Sequence, residues 1–172
     1  MPISDITIID MKVLSFGDYE KIFTESGHSQ EQSTDAIIRN TTGLSDAQIE
    51  LLSMPDYNSL ESAAEEQVNR SSEFYFDLDS TPFNVESPAL YDPLPTVETI
   101  KYTVPTVKVS RLMSTITDTE KMPYERSKFI TKACSGLDDL QISALSVRDW
   151  NMLQGRINDF LQEGAGSFQT AR

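Results

Sequence analysis

Residues 37–60 read IIRNTTGLSDAQIELLSMPDYNSL, and residues 130–153 read ITKACSGLDDLQISALSVRDWNML. Laid over one another at an offset of 93, with no gap, they agree at eleven of 24 positions. The shared positions include Gly43/Gly136, Leu44/Leu137, Ile49/Ile142, Leu52/Leu145, Ser53/Ser146, Asp56/Asp149 and Leu60/Leu153. Tyr57 aligns with Trp150, so a large amphipathic ring recurs as well. Chance would leave about one or two identities, and an internal repeat of this strength sets the frame for the rest of the chain.

The repeated unit has a mechanical reading. A helix ends at Gly43 or Gly136, because glycine takes the left-handed conformation past a helix end without a Cβ penalty. A short helix follows, N-capped by Ser45 in the first copy and by Asp138 in the second. Ile49 and Leu52, like Ile142 and Leu145, are three apart and share a face. Ser53-Met-Pro-Asp56 and Ser146-Val-Arg-Asp149 then each place a serine cap with an acid three residues on, close to a capping box. Pro55 suits the first turn, where its missing N–H costs nothing. Tyr57 and Leu60, and Trp150, Leu153, Ile157 and Phe160, line one face of a last helix.

Upstream, Ile6–Ile9 and Val97–Val104 are rich in β-branched residues and predict strands. Short amphipathic helices are expected near Phe16–Phe23 and Val109–Ile116. Between the halves, FYFDLD (residues 74–79) reads as a further strand. Prolines 82, 88, 93 and 95 then keep the chain extended. Phe83, Leu90 and Tyr91 in that stretch suit a segment lying along a surface. The expected fold is α+β and mostly α-helical, with two pseudo-repeats of short strand plus helical bundle. The first, acidic repeat spans 1–70, the extended proline-rich linker 71–96, the second repeat 97–163 and a frayed polar tail 164–172.

Charge is unevenly divided. Of a net charge of −13, residues 1–86 carry 17 acids and 4 bases, while residues 87–172 carry 10 of each. An acidic surface repels phosphate backbones, so nucleic acid is not an expected partner. It suits solubility, or a basic patch on another protein. One cysteine, Cys134, precludes an internal disulfide and reads as a small core residue. No apolar run approaches the roughly 20 residues of a membrane helix, so membrane insertion is not expected. Met1–Asp10 lacks the basic start of a signal peptide.

Few residues suggest chemistry. Asp77-Leu-Asp79-Ser-Thr81, after the apolar run Phe74–Phe76, resembles the strand-end motif of haloacid-dehalogenase-type phosphatases. There the first acid attacks phosphorus, the second works as acid and base, and both help bind magnesium. Pro82 follows at once, and no alternation of strands and helices surrounds it. His28, the only histidine, sits in a polar loop without a partner at readable spacing. No metal-ligand spacing and no phosphate-binding glycine loop is present, so no catalytic, cofactor or metal residue is assigned. Asp56 and Asp149 recur with the repeat and read as helix-cap residues alongside Ser53 and Ser146. Lys121, Arg126, Lys128 and Lys132 form a basic cluster, solvated or docked against the acidic half. Tyr57 and Trp150 serve either as core or as interface anchors. The candidate interface residues are therefore Tyr57, Phe83, Leu90, Tyr91, Trp150, Arg126 and Lys128.

The second copy, with Gly136, Leu137, Leu145, Asp149, Trp150, Leu153 and Phe160, resembles the C-terminal signature of the tail assembly chaperones of tailed bacteriophages. The first copy fills the same places with Gly43, Leu44, Leu52, Asp56, Tyr57 and Leu60. Those chaperones carry one copy and lack such a proline-rich linker; the doubled form is similar to baseplate hub assembly proteins of T-even-type phages. The resemblance covers roughly 40% of the chain and implies a non-enzymatic baseplate hub or tail assembly protein. It further implies other tail or baseplate proteins as partners, possible homo-oligomers, and a place in the host cytoplasm or the virion tail baseplate.

Overall fold

The computed structural model describes residues 9–27 and 30–168. Its elements are α1 (Phe16–Glu25), α2 (Gln30–Thr42), α3 (Asp46–Glu50), α4 (Met54–Asn69), α5 (Ser72–Leu78), α6 (Val107–Ser114), α7 (Glu125–Ser135), α8 (Asp139–Ala144) and α9 (Val147–Gln162), followed by a 3-10 turn at Ala165–Phe168. Of the expected strand Ile6–Ile9, residues 6–8 lie outside the described residues, as do His28 and the last four residues; Ile9 is in no strand.

The α+β expectation is wrong: this is a helical bundle. Among the described residues β-pairing is confined to two isolated bridges, Ser15 with Ser146 and Ala89 with Thr99. The strand-led halves are therefore not present. β-branched composition marks a half-buried surface and needs a partner strand to become a sheet. Here the extended segments use their backbone on helix ends instead. Lys12 N–H donates to the Thr41 carbonyl and Thr103 N–H to the Cys134 carbonyl, both at 2.7 Å. FYFDLD is likewise not a strand; it falls within α5 and its C-cap, Asp79. Its rings pack on arginines: Arg70 lies 4.2 Å from the Phe74 ring and Arg148 4.7 Å from that of Tyr75.

The aligned stretches fold alike at the level of caps. Gly43 and Gly136 have φ of 78° and 71°, the left-handed region that favours glycine. Ser45 with Gln48 and Asp138 with Gln141 both form full capping boxes. Arg39–Asp46 and Lys132–Asp139 are ion pairs at matching positions. Ser53 and Ser146 cap α4 and α9 with the same backbone angles, φ −64° and ψ 152°, each accepting from the N–H of the acid three residues on.

Two apolar clusters form the core, and each borrows from the opposite half. The larger gathers Ile130, Cys134, Leu137, Ile142, Leu145, Trp150, Leu153 and Ile157 from α7–α9, Leu90 and Leu94 from the linker, Ile100 from the segment before α6, and Phe16 from α1. The smaller gathers Leu14, Ile22, Ile37, Ile38, Ile49, Leu60 and Ala64, and takes Val147 from α9. Phe16 stacks on Trp150 at 3.8 Å between centroids, with planes 15° apart. Its burial binds the two halves by the hydrophobic effect, worth roughly 1.5–3 kcal/mol for such a ring.

Candidate functional site

The densest polar constellation lies where the linker crosses the start of α9. Ser146 caps the helix, so Asp149 sits in its first turn, near the positive end of the helix dipole. Asp149 is fully buried. Its carboxylate accepts from the Ser72 hydroxyl, from Tyr91 N–H at 2.9 Å and from Asp92 N–H at 3.0 Å. Burial pushes its carboxyl above the usual range, against the pull of these three donors.

Arg148 seals the outer side. Its guanidinium makes a bidentate pair with Asp92, at 2.5 and 2.7 Å, and lies 4.4 Å from the Tyr91 ring. Burial works against its charge, but Asp92 outweighs that and holds it more firmly protonated. The Tyr91 hydroxyl donates to Asp79 at 2.5 Å, which raises its pKa together with burial. These groups satisfy one another. The cluster locks α5 and residues 88–94 onto α9.

The candidate interface residues separate into three kinds. Leu90 and Trp150 are buried in the larger cluster, so neither is a surface anchor. Phe83 and Tyr91 are half-buried: Phe83 packs against the same cluster and meets Phe76 at 5.6 Å. Tyr57 is half-buried too, its hydroxyl donating to Asp35 at 2.8 Å. Arg126 is exposed, with its backbone N–H on Asp118 and its Nε 3.4 Å from the Met113 carbonyl. Lys128 is half-buried and pairs with Glu20 at 2.7 Å, so part of the basic cluster does dock on the acidic half of the same chain.

Asp77 and Asp79 do not follow a strand. Asp77 is in the last turn of α5, Asp79 caps it, and both are exposed. The strand-end geometry of the phosphatase motif is absent. Among the described residues no three His, Cys, Asp or Glu side chains converge to hold a metal ion. No described helix is long and apolar enough to cross a membrane.

Sequence reasoning missed where the exposed apolar residues gather. Leu51 and Met54 at the α3–α4 hinge are 74% and 65% exposed, and Val104 and Val107 at the start of α6 are 62% and 66% exposed. α6 buries no residue. No signal in the sequence could have found them: the repeat pairs Leu51 and Met54 with Ala144 and Val147, but burial depends on what covers a residue, and the alignment carries no such information. Comparison with family models, with curated proteins and with solved structures finds no match for this chain.

Proposed function

We propose that this protein is a non-catalytic binding protein of phage tail or baseplate assembly. One observation carries the binding reading: large apolar side chains stand uncovered in pairs at the α3–α4 hinge and the start of α6, and singly elsewhere, as at Leu78, Met122 and Leu140, while the polar groups around Asp149 satisfy each other inside. Apolar side chains left uncovered side by side suit an interaction site. The phage assignment rests on the resemblance of the two copies to tail assembly chaperones. Its partners would be tail or baseplate proteins that present basic patches to the acidic half.

The test is co-purification of the full chain from infected cells, with mass spectrometry of both the complex and the finished particles. Tail or baseplate proteins in the complex are the expected result. Presence in particles at stoichiometric level would make it a hub component; absence there would make it a chaperone. Normal tails in infections lacking the chain would overturn the proposal. So would hydrolysis of a generic phosphate ester that is lost in Asp77→Asn.

A further inference from the structure

We infer that this chain associates with further copies of itself head to tail: the start of α6 and the end of α9 of one molecule dock on the α3–α4 hinge of the next. This inference does not rest on the tail-assembly reading.

The contact already exists once within the molecule. Phe16 N–H donates to the Leu145 carbonyl at 2.6 Å, and Val147 N–H donates to the Leu14 carbonyl at 3.0 Å. The start of α1 thereby pairs with the α8–α9 hinge. Nearby, the Asn151 amide donates to the carbonyls of Val68 and Arg70, at 2.7 and 3.0 Å, and closes the end of α4. Two unlike surfaces meet: a helix start with a helix end on one side, a hinge on the other. Such a contact is heterologous, and a pair of units joined by one always leaves one surface of each kind unused.

The unused hinge is the one between α3 and α4. Leu52 and Met54 occupy the places of Leu145 and Val147. Among the described residues neither the Leu52 carbonyl nor the Met54 N–H has a backbone partner. Asn58, the same residue as Asn151, is exposed and lines a concavity of about 830 Å3 along α4. The unused opposite surface is α6 with the end of α9. The extended segment before α6 sits on its helix as the one before α1 does, so Val107 stands where Phe16 stands. α9 ends like α4: Glu163 and Arg70 have φ of −86° and −90° and ψ of 149° and 148°, each N–H donating four residues back.

Charge favours one part of this pairing. Within the molecule Gly17 lies so close to α8 that a Cβ there would fall 2.9 Å from the Ser143 carbonyl oxygen. The matching residues are Lys108 and Glu50. α6 carries Lys108 and Arg111 and no acid; α3 carries Asp46 and Glu50 and no base. Where α6 meets α3, opposite charges therefore meet head to tail, whereas either helix on its own copy would set like charges face to face. The acids Asp159 and Glu163 near the end of α9 and Glu65 and Glu66 lining the α4 concavity are not matched in sign, so charge favours only the α6–α3 part of the contact. The longer side chains hold this junction wider than the internal one, and it lacks the covalent link.

Sedimentation of the full chain up to roughly 100 μM, where a weak contact of micromolar class is populated, tests this. The expected result is species beyond the dimer at multiples of 19.3 kDa. Val107→Glu and Met54→Glu both alter exposed residues, and circular dichroism with an unchanged melting temperature confirms their folding. Each alone should weaken association at least about tenfold. Mixed, they should give a one-to-one dimer and nothing larger, because only one intact junction can form. A wild type that stays monomeric overturns the inference. So does a single variant that associates like wild type, or a mixture that stays monomeric.

Discussion

The α2–α4 and α7–α9 segments share their caps and glycine ends, yet hold opposite stations in the molecule. In α9, Asp149 is fully buried and receives three hydrogen bonds from the linker. In α4, Asp56 is half-buried and accepts from the Ser53 hydroxyl at 2.8 Å, with no linker across it. Trp150 is core and stacks on Phe16; Tyr57 stays at the edge, its hydroxyl on Asp35. Local sequence repeats the shape of a helical turn. What covers that turn comes from elsewhere in the chain, and among the described residues it covers the first turn of α9 and leaves that of α4 half-exposed.

Truncating the two rings is the strongest way to break this comparison. Trp150→Ala removes the partner of Phe16 from a packed cluster and should cost about 3–5 kcal/mol. Tyr57→Ala, at a half-exposed edge, should cost roughly 1–2 kcal/mol. Urea denaturation of both variants decides it; equal losses would mean that the two segments are buried alike.

The buried carboxylate comes next. Asp149→Ala leaves the Ser72 hydroxyl and two backbone N–H groups without their acceptor. At about 1 kcal/mol or more for each orphaned donor, the loss should be roughly 3 kcal/mol. Asp56→Ala removes a favourable dipole contact and should cost about 0.5 kcal/mol. Limited proteolysis sharpens the point: cleavage within residues 79–92 should rise in the Asp149 variant and stay unchanged in the Asp56 variant.

Much of this grammar was readable in the residues. Gly43, Gly136, Ser45, Asp138, Ser53 and Ser146 act through bonds spanning a few residues, which sequence specifies directly. The strands were misread because Val97–Val104 and FYFDLD have the composition of a half-buried surface, and that surface turned out to face helices. Leu90 and Trp150 could not be assigned to core or interface from their faces alone. That depends on the linker and on α1, which reach them across 50 or more residues. The exposed hinge at Leu51 and Met54 was invisible for the same reason. Asp149 was read as a helix-cap residue beside Ser146; Ser146 is the cap, and Asp149, in the first turn, gives only its N–H to it, while its carboxylate holds Ser72, Tyr91 and Asp92, which only the fold brings beside it.

The glycine ends test whether the shared grammar is equal in energy as well as shape. Gly43 and Gly136 both have positive φ, and a Cβ added at either would meet nothing within 4 Å. The cost of Gly→Ala is therefore conformational alone, about 1 kcal/mol at each site. Thermal melts of the two variants should agree within a few tenths of a kcal/mol. A clear inequality would mean that one of the two helix ends relaxes.

The smallest effect lies at a position where the copies differ in chemistry. Thr41 aligns with Cys134, and both are fully buried. The Thr41 hydroxyl donates to the Ile37 carbonyl at 2.7 Å, so its polarity is met within its own helix. Cys134→Thr should find the same acceptor in Ile130 and cost about 1 kcal/mol or less. Its pH dependence gives the sign. Burial pushes the Cys134 thiol up to about 11, above its value of about 8.5 in an unfolded chain. Between those values the unfolded chain has released the proton while the native state still holds it. The native state therefore binds more protons there, and wild-type stability falls as pH rises through that window. The threonine variant carries no such group, so its deficit relative to wild type should shrink between pH 8 and pH 10 in parallel urea melts. A deficit that stays constant or widens would place the cysteine in contact with solvent, and the second copy would lose its claim to be the covered one.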